Sequence, residues 1–371
     1  MKIMGYAGPA LLVTGAGVYY YFFIRRIVSL LGFRTDLREF RAGIAGAAAL
    51  LVLPAYNIWG FWAVVVLYNF AFALLFELVN LIVKRKGKGR KRWNIIYRSG
   101  LLPVLCTGAA LAYGFWNMGH VVRTEYTVYT DKPIREEGYR LCLVSDLHYG
   151  DVMQKERLQE CCREISRNRP DFLILCGDIV DEYTTGGQVE EVFQELSGVR
   201  TEYGIYYVYG NHDRGRYGDA VDFTEEELKQ TIVDSGIQIL KDETVTLNGE
   251  VTLLGREDRT NPEGDGRISA RELIRQADPG RFLLLLDHQP RDLRENAALG
   301  YDLQLSGHTH GGQIWPTGEI SNLLGFGEMS YGYERIGGLQ VIVSSGMAGG
   351  AYPVRTGKHS EYVVVDICPE E

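Results

Sequence analysis

Four long apolar stretches near the start of the chain limit most strongly what it can fold into. They cover residues 5–24, 42–60, 61–83 and 99–119. Each is close to the roughly 20 residues that a helix needs to cross about 30 Å of hydrocarbon. The first stretch is preceded by only one charge and has no small-residue cleavage pattern, which argues against a signal peptide. We predict an all-α region of four transmembrane helices in residues 1–120.

The charge distribution divides the chain at the same place. Residues 1–118 contain 14 Lys and Arg against 3 Asp and Glu, whereas residues 119–371 contain 25 against 44. The first part therefore has a net charge of +11 and the second part a net charge of −19. A domain so acidic repels a polyanion, so nucleic acid is disfavoured as its partner.

Basic residues are concentrated in two of the loops between the apolar stretches. Five Arg lie between the first and second stretches, and eight Lys and Arg lie between positions 84 and 98. Loops rich in Lys and Arg are retained in the cytoplasm. Both chain ends are therefore predicted to lie outside it. The second basic run is interpreted as a solvated loop or a site for anionic lipid headgroups.

Two further features bear on the membrane region and its orientation. Glu77 lies inside the third stretch, and we interpret it as reaching toward the membrane interface or an Arg rather than as a functional site. The six cysteines show no readable disulfide framework, and free thiols are more usual in a reducing compartment. A cytoplasmic orientation of the second part therefore stays open as the alternative.

The second part of the chain reads as a layered α/β domain. Residues 121–138 are β-rich and are predicted to be a linker. From residue 139 to residue 371, short and nearly continuous apolar runs alternate with polar helical segments. Runs of this kind are typical of strands that are covered on both faces. We predict a central pair of sheets flanked by helices.

Polar residues collect directly after five of the predicted strands. In open α/β sheets, ligands bind at the carboxyl ends of the strands, so these residues are expected to converge on one place. The sequence segments are "SDLHYGD", "CGDIVDE", "YGNHDRG", "DHQP" and "GHTHGG". The candidate site residues in them are Asp146, His148, Asp178, Asn211, His212, Asp213, His288, His308 and His310.

Seven of these residues form a set of metal ligands: two carboxylates, one amide and four imidazoles. Such a mixture suits Zn, Mn, Fe, Co or Ni better than Mg or Ca. Seven ligands are too many for one tetrahedral ion but suit two ions that share a bridging carboxylate. In an extended DxH or HxH segment both side chains project to the same side. The neighbouring glycines are expected to leave room for them.

The order "DLH…GD…GNHD…H…GHTH" resembles the calcineurin-like metallophosphoesterase superfamily. "GHTHGGQIWP" after an N-terminal membrane region is similar to its bacterial membrane-associated phosphodiesterase branch. The resemblance covers about residues 139–367 and implies a four-layer α/β/β/α domain. It implies that one metal is held by Asp146, His148 and His310, the other by Asn211, His288 and His308, and that Asp178 bridges them.

The resemblance also implies roles for the two residues after Asn211. His212 would contact the phosphate and protonate the leaving oxygen. Asp213 would either orient that imidazole or cap a turn, and both readings stay open. No protein nucleophile is needed, because metal-bound hydroxide would attack the phosphorus.

The leading prediction is therefore a membrane-anchored, dinuclear-metal-dependent phosphoesterase acting on phosphate mono- or diesters. Because the predicted linker is short, the substrates are expected to be lipid-linked or envelope phosphates, with membrane lipids as neighbours. One alternative is a nucleotide phosphodiesterase facing the cytoplasm. The other is a non-catalytic membrane sensor whose metals serve structure. Catalysis is favoured over the sensor because the ligand set comes with His212, whereas structural metal sites are usually closed by protein ligands.

Overall fold

The computed structural model of the chain describes residues 2–86, 90–150, 152–215, 217–218, 221–260, 267–325 and 327–370. The chain forms two compact units, Met1–Phe115 and Trp116–Glu371. The boundary lies a few residues before position 120, where the membrane region was predicted to end.

The first unit is helical, as predicted. Candidate membrane spans are Arg38–Tyr56, Phe61–Arg85 and Leu101–Gly119, and they match the second, third and fourth apolar stretches. Its helices are α1 (Lys2–Leu30), α2 (Arg38–Val52) with a following 3₁₀ turn (Leu53–Tyr56), α3 (Phe61–Lys86), α4 (Arg90–Ser99) and α5 (Leu101–Gly119). Part of the second basic run is thus helical in α4, whereas positions 87–89 of that run lie outside the described residues.

The first predicted span, residues 5–24, lies within α1. The candidate spans found in the described part of the chain do not include it. The side chains of residues 1–9, 11 and 12 lie outside that part. A fourth span therefore stays a prediction.

Glu77 in α3 has the kind of partner that its position predicts. Arg26 Nη1 lies 2.6 Å from Glu77 Oε1, and Tyr19 donates to the same oxygen at 3.1 Å. Tyr97 donates to the other carboxylate oxygen. A charge among apolar helices is stabilised when it is paired and hydrogen-bonded. The pairing with an Arg agrees with a structural reading of Glu77.

The second unit contains two six-stranded sheets. The first has the order β1-β12-β2-β3-β4-β5, and the second has the order β10-β11-β9-β8-β7-β6. The strands of the first sheet are β1 (Val121–Thr130), β2 (Tyr139–Val144), β3 (Phe172–Cys176), β4 (Ile205–Val208), β5 (Gln238–Ile239) and β12 (Ser360–Pro369). The strands of the second are β6 (Glu243–Leu247), β7 (Val251–Gly255), β8 (Phe282–Leu286), β9 (Leu303–Ser306), β10 (Gly332–Ile336) and β11 (Leu339–Val343).

Helices cover the outer faces of both sheets, so the unit has the predicted four-layer α/β/β/α architecture. Leu143 and Ile174 of the first sheet share one buried cluster with Leu284 and Leu305 of the second. Separate clusters join the first sheet to α6–α8 and the second to α9 and α10. The helices are α6 (Lys155–Arg167), α7 (Gly186–Ser197), α8 (Glu225–Asp234), α9 (Ala270–Ile274), α10 (Leu293–Leu299) and α11 (Thr317–Leu324).

Three of these helices begin at capping boxes that can be read in the sequence. The side chains of Thr185, Thr224 and Ser269 each accept a hydrogen bond from the backbone N–H three residues later, and a Gln or Glu at that position bonds back. One such cap stabilises a helix by about 1 kcal/mol. The caps fix where the outer helices start.

The segment predicted to be a β-rich linker, residues 121–138, contains a strand of the first sheet. Residues Val121–Thr130 form β1, which pairs with β12 in parallel from Val121↔Ser360 to Thr130↔Pro369. Only His120 separates this strand from the end of α5. The β-rich composition was read correctly, but the segment belongs to the sheet, because its backbone groups pair along the whole strand.

Candidate metal centre

The structure brings most of the candidate residues at the strand ends together. β2, β3 and β4 are parallel neighbours in the first sheet, and β8 and β9 are parallel neighbours in the second. Six of the seven predicted ligands form two groups, and within each group the ligand atoms lie within 4.8 Å of one another. The first group is Asp146, His148 and His310, and the second is Asp178, His288 and His308.

Asn211, the seventh predicted ligand, is held beside the second group. Its neighbour His212 donates its backbone N–H to Asp178 Oδ1 at 2.8 Å. The side-chain oxygen Oδ1 of Asn211 is buried and has no hydrogen-bond partner among the described residues. A buried acceptor without a partner costs about 1–3 kcal/mol, so this oxygen is a candidate ligand atom.

The backbone at the ligands differs from the extended conformation that the DxH and HxH spacing predicted. Positive φ angles of 43° to 70° occur at five of the ligands, in the left-handed region that non-glycine residues rarely adopt. Strain of this kind costs about 1–3 kcal/mol per residue and clusters at functional sites. The five ligands are Asp146, His148, Asp178, His308 and His310. The two side chains of each motif come together through sharp turns, so the extended geometry was wrong.

Two of the imidazoles are oriented with one nitrogen toward the site. His148 Nδ1 lies 3.1 Å from Asp181 Oδ2, and His148 Nε2 is buried with no partner in the described part of the chain. His288 Nδ1 donates to the carbonyl of Cys176 at 2.7 Å, and its Nε2 lies 3.0 Å from Asp178 Oδ2. Metal-binding histidines usually engage their other nitrogen in this way, so both residues fit a metal ion.

Glycines leave the space that the ligands occupy, as predicted. A Cβ atom at Gly210 would lie 2.2 Å from Asp178 Oδ1, and one at Gly307 would lie 2.3 Å from Asp146 Oδ2. A Cβ at Gly350 would lie 3.1 Å from His148 Nε2 and 3.2 Å from the Nε2 of His310. The two imidazole nitrogens therefore face the same small space.

The pKa directions divide the four imidazoles into two pairs. At His148 and His288 burial acts to lower the pKa, but the carboxylates of Asp181 and Asp178, respectively, raise it. Burial, together with the charge of His288, lowers the pKa of His308 to about 4, and burial lowers the pKa of His310 in the same direction. Burial acts to raise the pKa of Asp178, but the adjacent His288 holds it well below its ordinary range. Neutral imidazoles and an ionised carboxylate are the forms that bind a metal ion.

His212 lies beside the ligand groups but has a different partner. Its Nδ1 is 3.0 Å from Glu182 Oε2, and its side chain is 30% exposed. Burial alone would lower the pKa of His212, but the Glu182 and Asp178 carboxylates raise it to about 9. Bound dications would lower the pKa of His212, so the carboxylate of Glu182 helps to keep this imidazole protonated.

Of the two roles left open for Asp213, its contacts in the structure are those of a turn-capping carboxylate, and the imidazole of His212 contacts Glu182 instead. Asp213 is fully buried beneath the turn. It accepts hydrogen bonds of 2.6 to 3.2 Å from the backbone N–H groups of Asp178, Ile179, Val180 and Gly210. Asp213 therefore shapes the loop that carries Asp178.

Two carboxylates in the segment "GDIVDE" that were not predicted contact candidate site residues. Asp181 contacts the ligand His148, and Glu182 contacts His212. Both follow Asp178 by three or four residues, and this density of acidic residues after one strand was the available signal. The loop after β3 therefore supplies one candidate ligand, Asp178, and the partners of two histidines.

Comparisons with known proteins agree with this geometry. The family model of calcineurin-like phosphoesterases matches residues 139–312, a range that includes all seven candidate ligands. An uncharacterized metallophosphoesterase of Aquifex aeolicus is 30% identical over 247 residues, which are 66% of this chain and 90% of that protein. The uncharacterized metallophosphoesterase YkuE of Bacillus subtilis is 29% identical over 231 residues, 59% of this chain and 77% of that protein.

A further relative covers a larger share of this chain. The transmembrane protein with metallophosphoesterase domain of Danio rerio is 24% identical over 279 residues. These residues are 72% of this chain and 62% of that protein.

Proposed function

Because the chain belongs to the calcineurin-like metallophosphoesterase family and is a phosphoric ester hydrolase, we propose that it is a membrane-anchored, dinuclear-metal-dependent enzyme for phosphate mono- or diesters. The observation that carries the proposal is the pair of ligand groups at the strand ends. Beside them, His148 Nε2 and Asn211 Oδ1 are buried atoms whose partners are not found among the described residues. Each of the two groups combines residues that follow strands of the first sheet with residues that follow strands of the second.

We assign the ligands to two ions through Asp178. One ion would be held by Asp146, His148 and His310, and the other by Asn211, His288 and His308, with Asp178 serving both. The mixed imidazole and oxygen donors suit Mn, Zn, Fe, Co or Ni. When bound, the two ions supply Lewis-acid activation of water and neutralise charge on the phosphate.

The chain's own residues position and protonate the reacting groups. Glu182 engages His212 Nδ1, which leaves Nε2 of that imidazole to hold a proton for the leaving oxygen. The backbone N–H of His212 bonds to Asp178 and so ties the proton donor to the metal ligands. The side chain of His212 is partly exposed, so a substrate oxygen can reach it.

A direct assay separates this enzyme from a metal sensor. We expect the purified full chain, loaded with Mn or Zn, to hydrolyse 4-nitrophenyl phosphate or bis(4-nitrophenyl) phosphate and to lose this activity with a chelator. The release of 4-nitrophenol measures the rate. Two bound metal ions per chain without turnover of either ester would contradict the proposal and favour the sensor.

We further propose that the second unit lies outside the cytoplasm. Four of the five thiols of this unit are buried, those of Cys142 and Cys176 fully, which is compatible with an oxidising compartment. Burial raises the pKa of Cys142 to about 12, so the reactive thiolate is suppressed. The concentration of Lys and Arg in the loops of the first unit supports the same orientation.

Reporter fusions test this orientation. Alkaline phosphatase fused after Glu371 is expected to be active, because it folds only outside the cytoplasm, and the same reporter fused after Lys88 is expected to be silent. Whole-cell phosphatase activity, normalised to the amount of fusion protein, is the measurement. The reverse pattern would place the catalytic unit inside and favour the nucleotide phosphodiesterase alternative.

A short connection to the membrane supports lipid-linked or envelope phosphates as substrates. β1 begins at Val121, two residues after the last residue of the candidate span α5. A sheet attached so closely to a span keeps the unit near the bilayer. Substrates that are themselves held in or near the bilayer are therefore favoured over freely diffusing nucleotides.

A further inference from the structure

We propose that an apolar patch beside the metal centre contacts the lipid bilayer and presents the phosphate ester of a membrane lipid to the metal ligands. The patch consists of Trp315, Ile320, Leu323 and Leu324. This inference rests on the proposed function and identifies the surface through which the site would meet its substrate.

The patch is a run of large apolar side chains in an otherwise acidic domain. Trp315 is 55% exposed, Ile320 46%, Leu323 84% and Leu324 57%. In α11, Ile320 lies three and four residues before Leu323 and Leu324, so the three side chains share one face. Gly318 is the one buried residue of the helix. Apolar patches that point away from the core mark contact surfaces.

The patch is fixed to the loop that carries two metal ligands. α11 packs so closely that a Cβ at Gly312, two residues after His310, would lie 2.4 Å from Gly318 Cα. Ser330 joins the two elements, because its carbonyl accepts from Thr309 Oγ1 at 2.6 Å and its hydroxyl accepts from Asn322 Nδ2 at 2.9 Å. The helix therefore cannot shift without moving the ligand loop.

One short segment, Arg355–Ser360, contacts both the patch and the end of the candidate span α5. Asn117 in the last turn of α5 donates from Nδ2 to the carbonyls of Arg355 and Lys358, at 3.0 and 3.2 Å. The backbone N–H of Trp315 donates to Thr356 Oγ1 at 3.1 Å. Trp315 is thus held next to the residues at which the chain leaves the membrane.

The same segment reaches the metal centre. Arg355 is fully buried, and its Nη1 donates to the carbonyl of the ligand His310 at 3.1 Å and to the carbonyl of Ser345 at 2.8 Å. A guanidinium buried in this way holds several loops in one arrangement. The end of the span, the patch and the ligand His310 are therefore parts of one connected structure.

This continuity with a membrane span identifies the bilayer as the occupant of the patch. Tryptophan and large aliphatic side chains are typical of segments that lie in the membrane interface. Residues 119–371 have a net charge of −19, so attraction to anionic lipids cannot hold this unit at the surface. The contact must be apolar. A lipid phosphate at headgroup depth would then lie beside the ligand loop.

The first test measures the depth of Trp315 in the full chain reconstituted in nanodiscs. The difference in fluorescence between the wild type and Trp315→Phe gives the signal of Trp315 alone, separated from that of the other four tryptophans of the sequence. We expect lipids brominated near the headgroup end of the acyl chain to quench most of that component. A Trp315 component that is unchanged by brominated lipids would overturn the contact.

The second test measures substrate presentation. Phosphatidic acid in the nanodisc is expected to be hydrolysed or to inhibit hydrolysis of the soluble nitrophenyl esters. The double substitution Leu323→Asp and Leu324→Asp should lower either the hydrolysis of phosphatidic acid or the inhibition caused by it. The decrease should be about tenfold or more relative to turnover of the soluble ester. The matched control is Val233→Asp, which adds a charge at another exposed aliphatic residue, 52% exposed on α8, and should leave the ratio unchanged.

The two tests separate this inference from the proposed function. Quenching needs no turnover. A quenched Trp315 in a chain that hydrolyses no phosphate ester would therefore contradict the proposed function but support the contact of the patch with the bilayer. An equal ratio in the double variant and in the wild type would overturn substrate presentation. Dimers that dissociate on replacing Leu323 and Leu324, measured by mass photometry, would show that a second copy covers the patch instead.

Discussion

Asp178→Asn is expected to lower the metal content and nearly abolish hydrolysis. Asp178 is buried, lies 3.0 Å from His288 Nε2 and belongs to the second ligand group. A neutral amide cannot offset the charge of two ions. The loss should exceed the roughly 10- to 100-fold cost of removing a hydrogen-bond partner of a metal ligand.

This substitution tests the metal centre rather than the fold. Asn keeps an oxygen that can accept the backbone N–H of His212, as Asp178 Oδ1 does at 2.8 Å. Circular dichroism should therefore remain near wild type while elemental analysis shows fewer ions per chain. Asp234→Asn, the same change at an exposed position of α8, is the matched control and should retain metal and activity. Full activity and two ions in Asp178→Asn would refute the shared-ligand assignment.

The second large effect is expected at His212. His212→Ala should retain both metal ions but lower kcat by about 10² to 10⁴, because it removes a general acid without removing a ligand. The structure supports this separation, since His212 Nδ1 bonds to Glu182 and His212 is absent from the two ligand groups found among the described residues.

The identity of the leaving group distinguishes proton donation from phosphate binding. A good leaving group such as 4-nitrophenolate needs little protonation, so the loss should shrink for it and grow for alkyl esters. Glu182→Gln should reproduce part of this pattern, because it removes the charge that raises the pKa of His212. The control His120→Ala removes an exposed imidazole and should leave the rates of hydrolysis of both the 4-nitrophenyl and the alkyl esters unchanged. An equal loss for every leaving group would assign His212 to binding.

The membrane region and the ligand set could be predicted because both depend on local patterns. A span needs a continuous apolar stretch of nearly fixed length, and three of the four stretches coincide with candidate spans. The ligands follow strands directly, and the carboxyl ends of parallel strands meet at one edge of a sheet. Asp146, Asp178 and Asn211, which follow three parallel neighbours of the first sheet, could therefore be placed together without knowledge of any loop.

The partners of those ligands could not be predicted in the same way. Asp213 follows His212 in the sequence, yet its carboxylate turns to the backbone of the loop after β3, and Glu182 takes its place on the imidazole. Thirty residues separate Glu182 from His212. Neighbours in the chain lie close in space in every conformation, but contacts across loops depend on the path that each loop takes.

The sequence by itself determined the two-part organisation, the layered domain and the chemical class of the site, because hydrophobic length, strand alternation and ligand type are local properties. Only the tertiary structure decided that residues 121–130 pair with β12, that the ligands stand on left-handed turns, and that Trp315 and Asn117 bond to the same segment. Each of these depends on backbone hydrogen bonds between residues distant in the chain or on strain supported by packing. Such long-range hydrogen bonds and strained turns leave no periodic pattern in the sequence.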